Sequence, residues 1–257
     1  MDEPPGADEG GTVCLSRSRK PWRIGSRATA ALVIMAVTVA GCGRATSTPQ
    51  PASPQSVSTP PAPTLASEGL DSILLTVADV NAAMGASDMQ PTSPIEHATW
   101  TVDRTLSNLD CRAAFFVAEA AVYQGSGYKA VSAQGLHEVG DDPHHRVGQA
   151  AVSFPSADLA VAFVRSSADK WRACAGQTIT AHHMGRDYLW TVGDLGGNAP
   201  AITQPHTLEG GNGYTCRHVL RAVLNVVLDV NACAYQLGDQ AGQIVDKMAD
   251  TVTRQAH

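Results

Sequence analysis

Residues 213–235, GYTCRHVLRAVLNVVLDVNACAY, constrain the fold more than any other stretch, because they predict one β-hairpin in one register. The second half alternates between apolar residues and a mixed set, as a half-buried strand does. If Leu224 and Asn225 form a two-residue turn, with Asn225 at positive φ, Cys216 directly faces Cys233. This pair falls at a non-hydrogen-bonded position, where Cβ atoms are closest and a disulfide closes most easily.

Two arginines on the first predicted strand do not fit the simple alternation of apolar and polar residues. Arg217 and Arg221 would share a strand face with Val219 and Val223, which are apolar. One interpretation is that this edge of the strand is solvated. The other is that the two guanidinium groups donate hydrogen bonds to an anionic ligand in a cleft. The second interpretation predicts Arg217 and Arg221 as ligand-binding residues.

An export signal is predicted at the N-terminus. A basic block at residues 17–27 precedes a largely apolar run of thirteen residues at 28–40, too short to span a bilayer comfortably but typical of a signal-peptide core. This run ends in VAGC, which resembles the lipobox of bacterial lipoproteins, whose cysteine is acylated and becomes the first residue. We predict a lipoprotein-type signal peptide at 1–41 and an acylated, palmitate-carrying Cys42 on the extracytoplasmic face of the cell membrane. An ordinary cleaved signal with a coincidental cysteine is the alternative.

Residues 42–67 predict a lipid-anchored tether. They are rich in Pro, Ser and Thr and bear no charge after Arg44, so they cannot bury enough apolar surface to offset the entropy of ordering. The whole chain has 18 Lys+Arg against 24 Asp+Glu. Because this balance is acidic and the exported part has no basic cluster, we expect no nucleic-acid partner. The folded domain is predicted at 68–257.

The remaining pattern predicts an α+β fold in a single domain. Thr76, followed by Asp79, predicts a capped helix that ends at Gly85. A second helix is predicted through the apolar residues 111–123, and a third begins after Ser156. Strands are predicted at 131–139, 147–154, 177–184, 187–192 and 201–208, and a final helix follows the hairpin. This order favours a largely antiparallel sheet flanked by helices.

The cysteines predict two disulfides. Cys14 lies in the signal peptide and Cys42 is the acylation site, which leaves an even number in an oxidising compartment. Four cysteines allow three connectivities, and the hairpin register selects one of them. A zinc site is the alternative, but no two cysteines have the C-x-x-C spacing. The predicted disulfide cysteines are Cys111 with Cys174 and Cys216 with Cys233.

Several segments resemble the PknH-like extracellular sensor domain family. They are LLTVADVNAAMG (74–85), CRAAFFVAEAAVYQGSGY (111–128), FPSADLAVAFVRSSADKWRACAG (154–176) and the hairpin. This domain is the outer part of a mycobacterial membrane-bound Ser/Thr kinase and also occurs in lipoproteins of the mycobacterial cell envelope. The resemblance implies that the first domain cysteine pairs with the second and the third with the fourth. It also implies a single α/β sandwich with a cleft proposed to bind an unidentified ligand.

Catalytic signatures are missing from the sequence. It contains no Gly-rich loop, HRD or DFG of a kinase and no G-x-S-x-G elbow of a hydrolase. His144–His145 and His182–His183 suggest a metal site only weakly, because adjacent strand residues point to opposite faces. Trp100, Tyr188 and Trp190 could line an apolar pocket, although alternating aromatics are more often core.

The sequence therefore predicts a non-enzymatic, membrane-anchored sensor-type lipoprotein. We expect no catalytic residues, metal or cofactor, and a ligand that is an unknown small molecule or envelope component. A cell-envelope hydrolase with an unrecognised site is the alternative function, followed by a protein-interaction module.

Overall fold

The computed structural model describes residues 64–102, 105–140 and 144–257. The predicted signal peptide, Cys42 and residues 42–63 of the predicted tether lie outside the described residues. Within them, all strands belong to one antiparallel sheet with helices against both faces, which confirms the predicted α+β sandwich. None of the helices in these ranges has the length and apolar character that crossing a membrane requires.

Ten strands form the sheet, in the order β1-β3-β4-β10-β9-β8-β6-β5-β2, and β7 pairs with β8 beside this path. Their bounds are β1 Met89–Pro91, β2 Thr105–Leu106, β3 Ala130–Glu138, β4 Arg146–Ser153, β5 Thr178–His183, β6 Arg186–Val192, β7 Gly196–Asn198, β8 Ala201–Leu208, β9 Tyr214–Val223 and β10 Val226–Tyr235. The predicted strands are all present, within one or two residues of their predicted ends. The three short strands β1, β2 and β7 were not predicted, because each has too few residues to show a period.

The helices divide between the two faces of the sheet. Their bounds are the 3₁₀-helices η1 Ser67–Ile73 and η2 Leu109–Cys111 and the α-helices α1 Val77–Met84, α2 Arg112–Phe115, α3 Ala120–Tyr123, α4 Ala157–Cys174 and α5 Gln240–Gln255. Residues of α2, α3 and α4 share one buried apolar cluster, on what we name the α4 face. Residues of η1, α1 and α5 share a second cluster, on the α5 face. Two cores on one sheet define a three-layer sandwich.

The β9–β10 hairpin has the predicted register. Cys233 lies directly opposite Cys216, with a Cα–Cα distance of 3.9 Å, and the structure joins them in a disulfide. One detail of the turn was wrong, since Leu224, with φ of 52°, is the residue at positive φ and Asn225 is not. The Asn225 amide is instead buried, where its Nδ2 donates to the carbonyl of Phe154. This hydrogen bond satisfies a buried carbonyl and anchors the Asn225 side chain beside the turn.

Helix caps follow the predicted chemistry. The Thr76 hydroxyl accepts a hydrogen bond from the Asp79 N–H at 3.2 Å, and α1 ends at Gly85 with φ of 70°. The Ser156 hydroxyl accepts from the Leu159 N–H at 3.3 Å and begins α4. Such caps satisfy N–H groups that the first helical turn leaves without a partner. Both signals are local, which is why the sequence predicted them.

The single helix predicted for residues 111–123 was wrong. The chain forms α2, leaves the helical conformation at Phe116, passes Ala118 at φ of 49° and then forms α3. The Ala118 N–H donates to the buried Asp229 Oδ2 at 3.0 Å, and the Ala118 carbonyl accepts from Trp100 N–H at 2.7 Å. These contacts, made with residues distant in sequence, replace helical hydrogen bonds. Asn108 caps η2, since its side chain accepts from the Asp110 N–H.

The second disulfide joins Cys111, where η2 ends, to Cys174, the last residue of α4. Its Cα–Cα distance is 5.7 Å, within the usual range for a disulfide. The disulfide fixes the irregular segment around α2 and α3 onto the longest helix of the domain. It therefore holds one wall of the cleft described next.

Candidate functional site

A cleft of about 390 Å³ lies on the α4 face, over strands β3 and β4. Its floor contains two glycines that face each other across the strands, Gly135 and Gly148. A Cβ added at Gly148 would lie 3.3 Å from Val117 Cγ2 and 3.7 Å from Trp100 Cζ3. Because glycine has no side chain, Val117 and Trp100 can approach the sheet here, and open space remains beside the two glycines. We name this site the β3–β4 cleft.

The walls of the β3–β4 cleft are largely apolar. Trp100, Val102 and Phe116 line it and are each partly exposed. The backbone of Trp100 bonds the segment before α3 in both directions, since its N–H donates to the Ala118 carbonyl and its carbonyl accepts from the Ala120 N–H. This pairing fixes the indole over the glycine floor. An aromatic wall of this kind can bury an apolar ligand surface.

One end of the cleft is basic. His137 of β3 and Arg146 of β4 are direct cross-strand partners, and both line the cleft. His183 of β5 lines it from the opposite side, near the other edge of the sheet. The Asn231 side chain is also present, where its Nδ2 donates to the Phe115 carbonyl at 3.0 Å. Within the described ranges, no Asp or Glu side chain lines this cleft.

A buried polar network lies deeper on the same face. Asp229 of β10, 2% exposed, accepts hydrogen bonds at Oδ2 from the Tyr123 hydroxyl at 2.8 Å and the Ala118 N–H at 3.0 Å. Its Oδ1 lies 2.6 Å from Nε2 of His218, whose Nδ1 donates to the Ala114 carbonyl at 2.9 Å. Burial, and then the Asp229 carboxylate, raise the pKa of Tyr123 well above 10. All these polar atoms are satisfied, so the network holds α2 and α3 on the sheet.

Two further titratable groups are buried near the cleft. Burial raises the pKa of Glu119 above its ordinary value, although the Val102 N–H and Arg112 oppose the shift. Glu119 Oε1 lies 3.6 Å from Arg112 Nε, and Oε2 accepts from the Val102 N–H. Burial, and then the proximity of His218, lower the pKa of His206 to about 3. Among the described residues, neither group is hydrogen-bonded to a nucleophilic side chain, so neither forms a hydrolytic constellation.

The two arginines singled out in the sequence lie outside the cleft. Arg217 and Arg221 belong to the α5 face, on the opposite side of the sheet from the β3–β4 cleft. Arg221 Nη1 donates to Asp246 Oδ1 of α5 at 2.6 Å. Arg221 therefore forms an ion pair that joins strand β9 to helix α5. The structure does not bring the two arginines to the candidate site.

Of the other residues predicted from the sequence, some line the cleft and others lie in the core. Cys233 lines the cleft, whereas Cys111 and Cys174 are buried below it. Trp100 lines the cleft, but Tyr188 and Trp190 pack against the α4-face core, as expected for alternating aromatics.

The histidine pairs are also divided. His145 Nδ1 hydrogen-bonds to Glu138, and His182 Nδ1 hydrogen-bonds to Asp187 Oδ1 at 2.8 Å. His144 donates its N–H to Glu138, and His183 reaches the cleft. The adjacent residues Asp141 and Asp142 lie outside the described residues.

Sequence reasoning missed the residues that distinguish this site. Arg146 and His137 lie near the ends of strands where basic residues are common, and Gly135 and Gly148 are isolated glycines within strand patterns. A strand glycine does indicate close approach of another group. Two such glycines in neighbouring predicted strands, each followed or preceded by a basic residue two positions away, could have suggested the cleft.

A sheet covered on both faces, two disulfides and a lined cleft together define a disulfide-stabilised α+β domain. The family model for the PknH-like extracellular domain matches residues 65–251. The chain therefore belongs to the PknH-like extracellular domain family.

Individual relatives agree with this assignment. The chain is 40% identical over 239 residues to the serine/threonine-protein kinase PknH of Mycobacterium bovis, covering 93% of this chain and 39% of that protein. The same identity and coverage of this chain hold for PknH of Mycobacterium tuberculosis, of which 37% is covered. The chain thus spans about two fifths of the length of these curated relatives.

A solved structure shares the fold. The crystal structure of the extracellular domain of PknH from Mycobacterium tuberculosis matches with a TM-score of 0.71 and 43% sequence identity. The match covers 74% of this chain and 98% of that chain. The expected resemblance and the expected fold are both confirmed.

Proposed function

We propose that this protein is a lipid-anchored, extracytoplasmic sensor-type domain that binds a ligand in the β3–β4 cleft without transforming it. The observation that carries this proposal is the cleft itself. Its volume of about 390 Å³ falls within the range of small-molecule sites, and it combines apolar walls with a few polar groups. The disulfides hold its walls in place, so binding would cost little ordering entropy.

The mode of membrane attachment is inferred from the sequence. The kinase relatives carry this kind of domain as less than half of a longer protein. Here the domain follows a predicted lipobox, so acyl chains on Cys42 would take the place of another membrane attachment. The tether at 42–67 would then hold the domain away from the membrane surface, where it can meet an envelope ligand.

Catalysis is the alternative function, and the geometry gives it less support. A hydrolase needs a nucleophile beside a base, both reachable by substrate. Among the described residues, His218 pairs with the buried carboxylate of Asp229 and is itself 1% exposed. Both of its ring nitrogens are engaged, by Asp229 and by the Ala114 carbonyl. Substrate cannot reach this pair without displacing α2, so binding alone is the function that the site supports best.

The test is whether a molecule is retained in the cleft. Residues 64–257 contain both disulfides and both core clusters, and a homologous extracellular domain has been crystallised by itself. This part can therefore be exported from a mycobacterial host and purified without its anchor. Mass spectrometry then identifies small molecules that it retains, compared with a Thr92→Trp variant that fills the cleft mouth and a Thr207→Trp control on the opposite face of the sheet.

The expected result is a molecule retained by the native and Thr207→Trp proteins but not by Thr92→Trp. Retention of nothing above the background, or equal retention by all three proteins, would refute binding in this cleft. Conversion of the retained molecule into a product by the purified domain would favour the enzymatic alternative instead.

A further inference from the structure

We propose that the ligand of the β3–β4 cleft is an amphiphilic anion, with its anionic head group at His137 and Arg146 and its apolar part against Trp100 and Phe116. This inference rests on the ligand-binding function proposed above and specifies the chemical class of the ligand. It follows from the way basic and apolar side chains are separated along one cleft.

The basic end is built from neighbouring strands. His137 and Arg146 are paired in the β3–β4 register, so their side chains leave the same face with Cβ atoms about 5 Å apart. Neither side chain has a carboxylate partner among the described residues, in contrast to Arg112, Arg172 and Arg221. A guanidinium fork presents two parallel N–H donors, which match the oxygens of a phosphate or carboxylate.

A third basic residue lines the cleft from a distant part of the sheet. His183 belongs to β5, six strands away from β3 in the order of the sheet, yet it lines the same cleft. The chain has a formal net charge of −6, whereas the lining of this cleft includes no carboxylate from the described residues. The lining that the structure describes is therefore basic on an acidic protein, and its potential would attract an anion.

The rest of the cleft does not suit a small inorganic anion. Trp100, Val102 and Phe116 present partly exposed apolar surface beside the glycine floor. An inorganic anion would leave this apolar surface in water, where it gains nothing from the hydrophobic effect. An uncharged amphiphile would cover the aromatic wall but exclude water from Arg146 without giving it a partner, which is costly. An anion with an apolar tail satisfies both ends.

The experiment uses defined probes, each below its critical micelle concentration. Isothermal titration calorimetry compares decyl phosphate, uncharged decyl maltoside and inorganic phosphate on the exported domain. Decyl phosphate should bind at least about tenfold more tightly than either of the others, because only it engages both ends of the cleft. Arg146→Gln should weaken decyl phosphate binding by about tenfold and leave decyl maltoside unchanged. The matched control is Arg165→Gln, an exposed arginine of α4, which should change neither affinity.

Other outcomes would overturn the inference in distinguishable ways. Equal affinity for decyl phosphate and decyl maltoside, or no effect of Arg146→Gln, would refute the anionic head-group site. Equal affinity for inorganic phosphate would refute the apolar part. A loss caused by Arg217→Gln or Arg221→Gln instead would place anion binding on the α5 face. If no probe binds, the amphiphilic-anion class is refuted, while the retention experiment with Thr92→Trp still decides whether the cleft binds another ligand.

Discussion

His206 is 1% exposed, stacks on Phe115 with ring centroids 4.5 Å apart and has no hydrogen-bond partner for either ring nitrogen among the described residues. Its surroundings favour the neutral ring, because burial and then the nearby His218 lower its pKa to about 3. In the unfolded chain the ring would titrate near pH 6.5. Between these pH values the unfolded chain binds one proton more than the folded protein.

This difference predicts an acid-sensitive stability. The contribution of His206 to the free energy of unfolding should be constant above about pH 6.5. Below that pH the free energy of unfolding should fall toward pH 3, by up to about 1.4 kcal/mol per pH unit from this residue. His206→Phe keeps the stacked ring, removes two unsatisfied nitrogens and abolishes the titration. Urea denaturation between pH 7.5 and pH 4.5 should therefore show a shallower pH dependence for His206→Phe, with no loss at pH 7.5. The exposed His182→Gln serves as control, and identical slopes for native protein and His206→Phe would contradict the prediction.

Single residues were the least predictable level of this protein. The sequence marked Arg217 and Arg221 as odd because they interrupt an apolar strand face, but the reason lies in α5, whose Asp246 contacts Arg221. Arg146 was not singled out, because an arginine near a strand end is not unusual by itself. A side chain's role depends on what packs opposite it, and its sequence neighbours rarely contain that information.

At the scale of elements, the β9–β10 hairpin was predictable in detail. Alternation sets which residues share a face, a two-residue turn sets the register, and Cys216 opposite Cys233 agrees with both. All of this information lies within about twenty consecutive residues. The helix predicted at 111–123 failed because Asp229, more than one hundred residues later, holds the Ala118 N–H. The apolar sequence of residues 111–123 indicates that they are buried. It does not distinguish a helix from an irregular buried segment.

The two disulfides give a prediction at this scale. Peptide mapping without reduction should link Cys111 to Cys174 and Cys216 to Cys233 in the exported protein. The pairs are 63 and 17 residues apart in sequence. In the chain-entropy model the longer closure stabilises by about 4 kcal/mol and the shorter by about 3 kcal/mol.

Paired replacement by alanine tests the same prediction. Denaturant unfolding should show a larger loss for Cys111→Ala/Cys174→Ala than for Cys216→Ala/Cys233→Ala. A peptide linking Cys111 to Cys216 or Cys233 would contradict both the pairing and the hairpin register. A larger loss from the hairpin pair would contradict the entropic ranking.

At the scale of the whole molecule, Cys42 predicts where the protein is held. Its thiol is the group that would receive the lipid, and signal cleavage would leave it as the first residue. In a mycobacterial host, Cys42→Ala should abolish incorporation of labelled palmitate and move the protein out of the membrane fraction. Cys14→Ala is the matched control, because Cys14 precedes the basic block and should not affect labelling. Undiminished labelling and membrane retention of Cys42→Ala would refute the anchor.

The sequence by itself determined the features that are written locally: the caps at Thr76 and Ser156, the strand periods and the hairpin register. Together with the family resemblance, these gave the α+β sandwich and its disulfide pairing. Only the tertiary structure decided the candidate site, because the β3–β4 cleft combines Trp100, the Gly135–Gly148 pair and His183 from separate parts of the chain. Such a site exists only once the sheet brings those parts together, and no local pattern records that meeting.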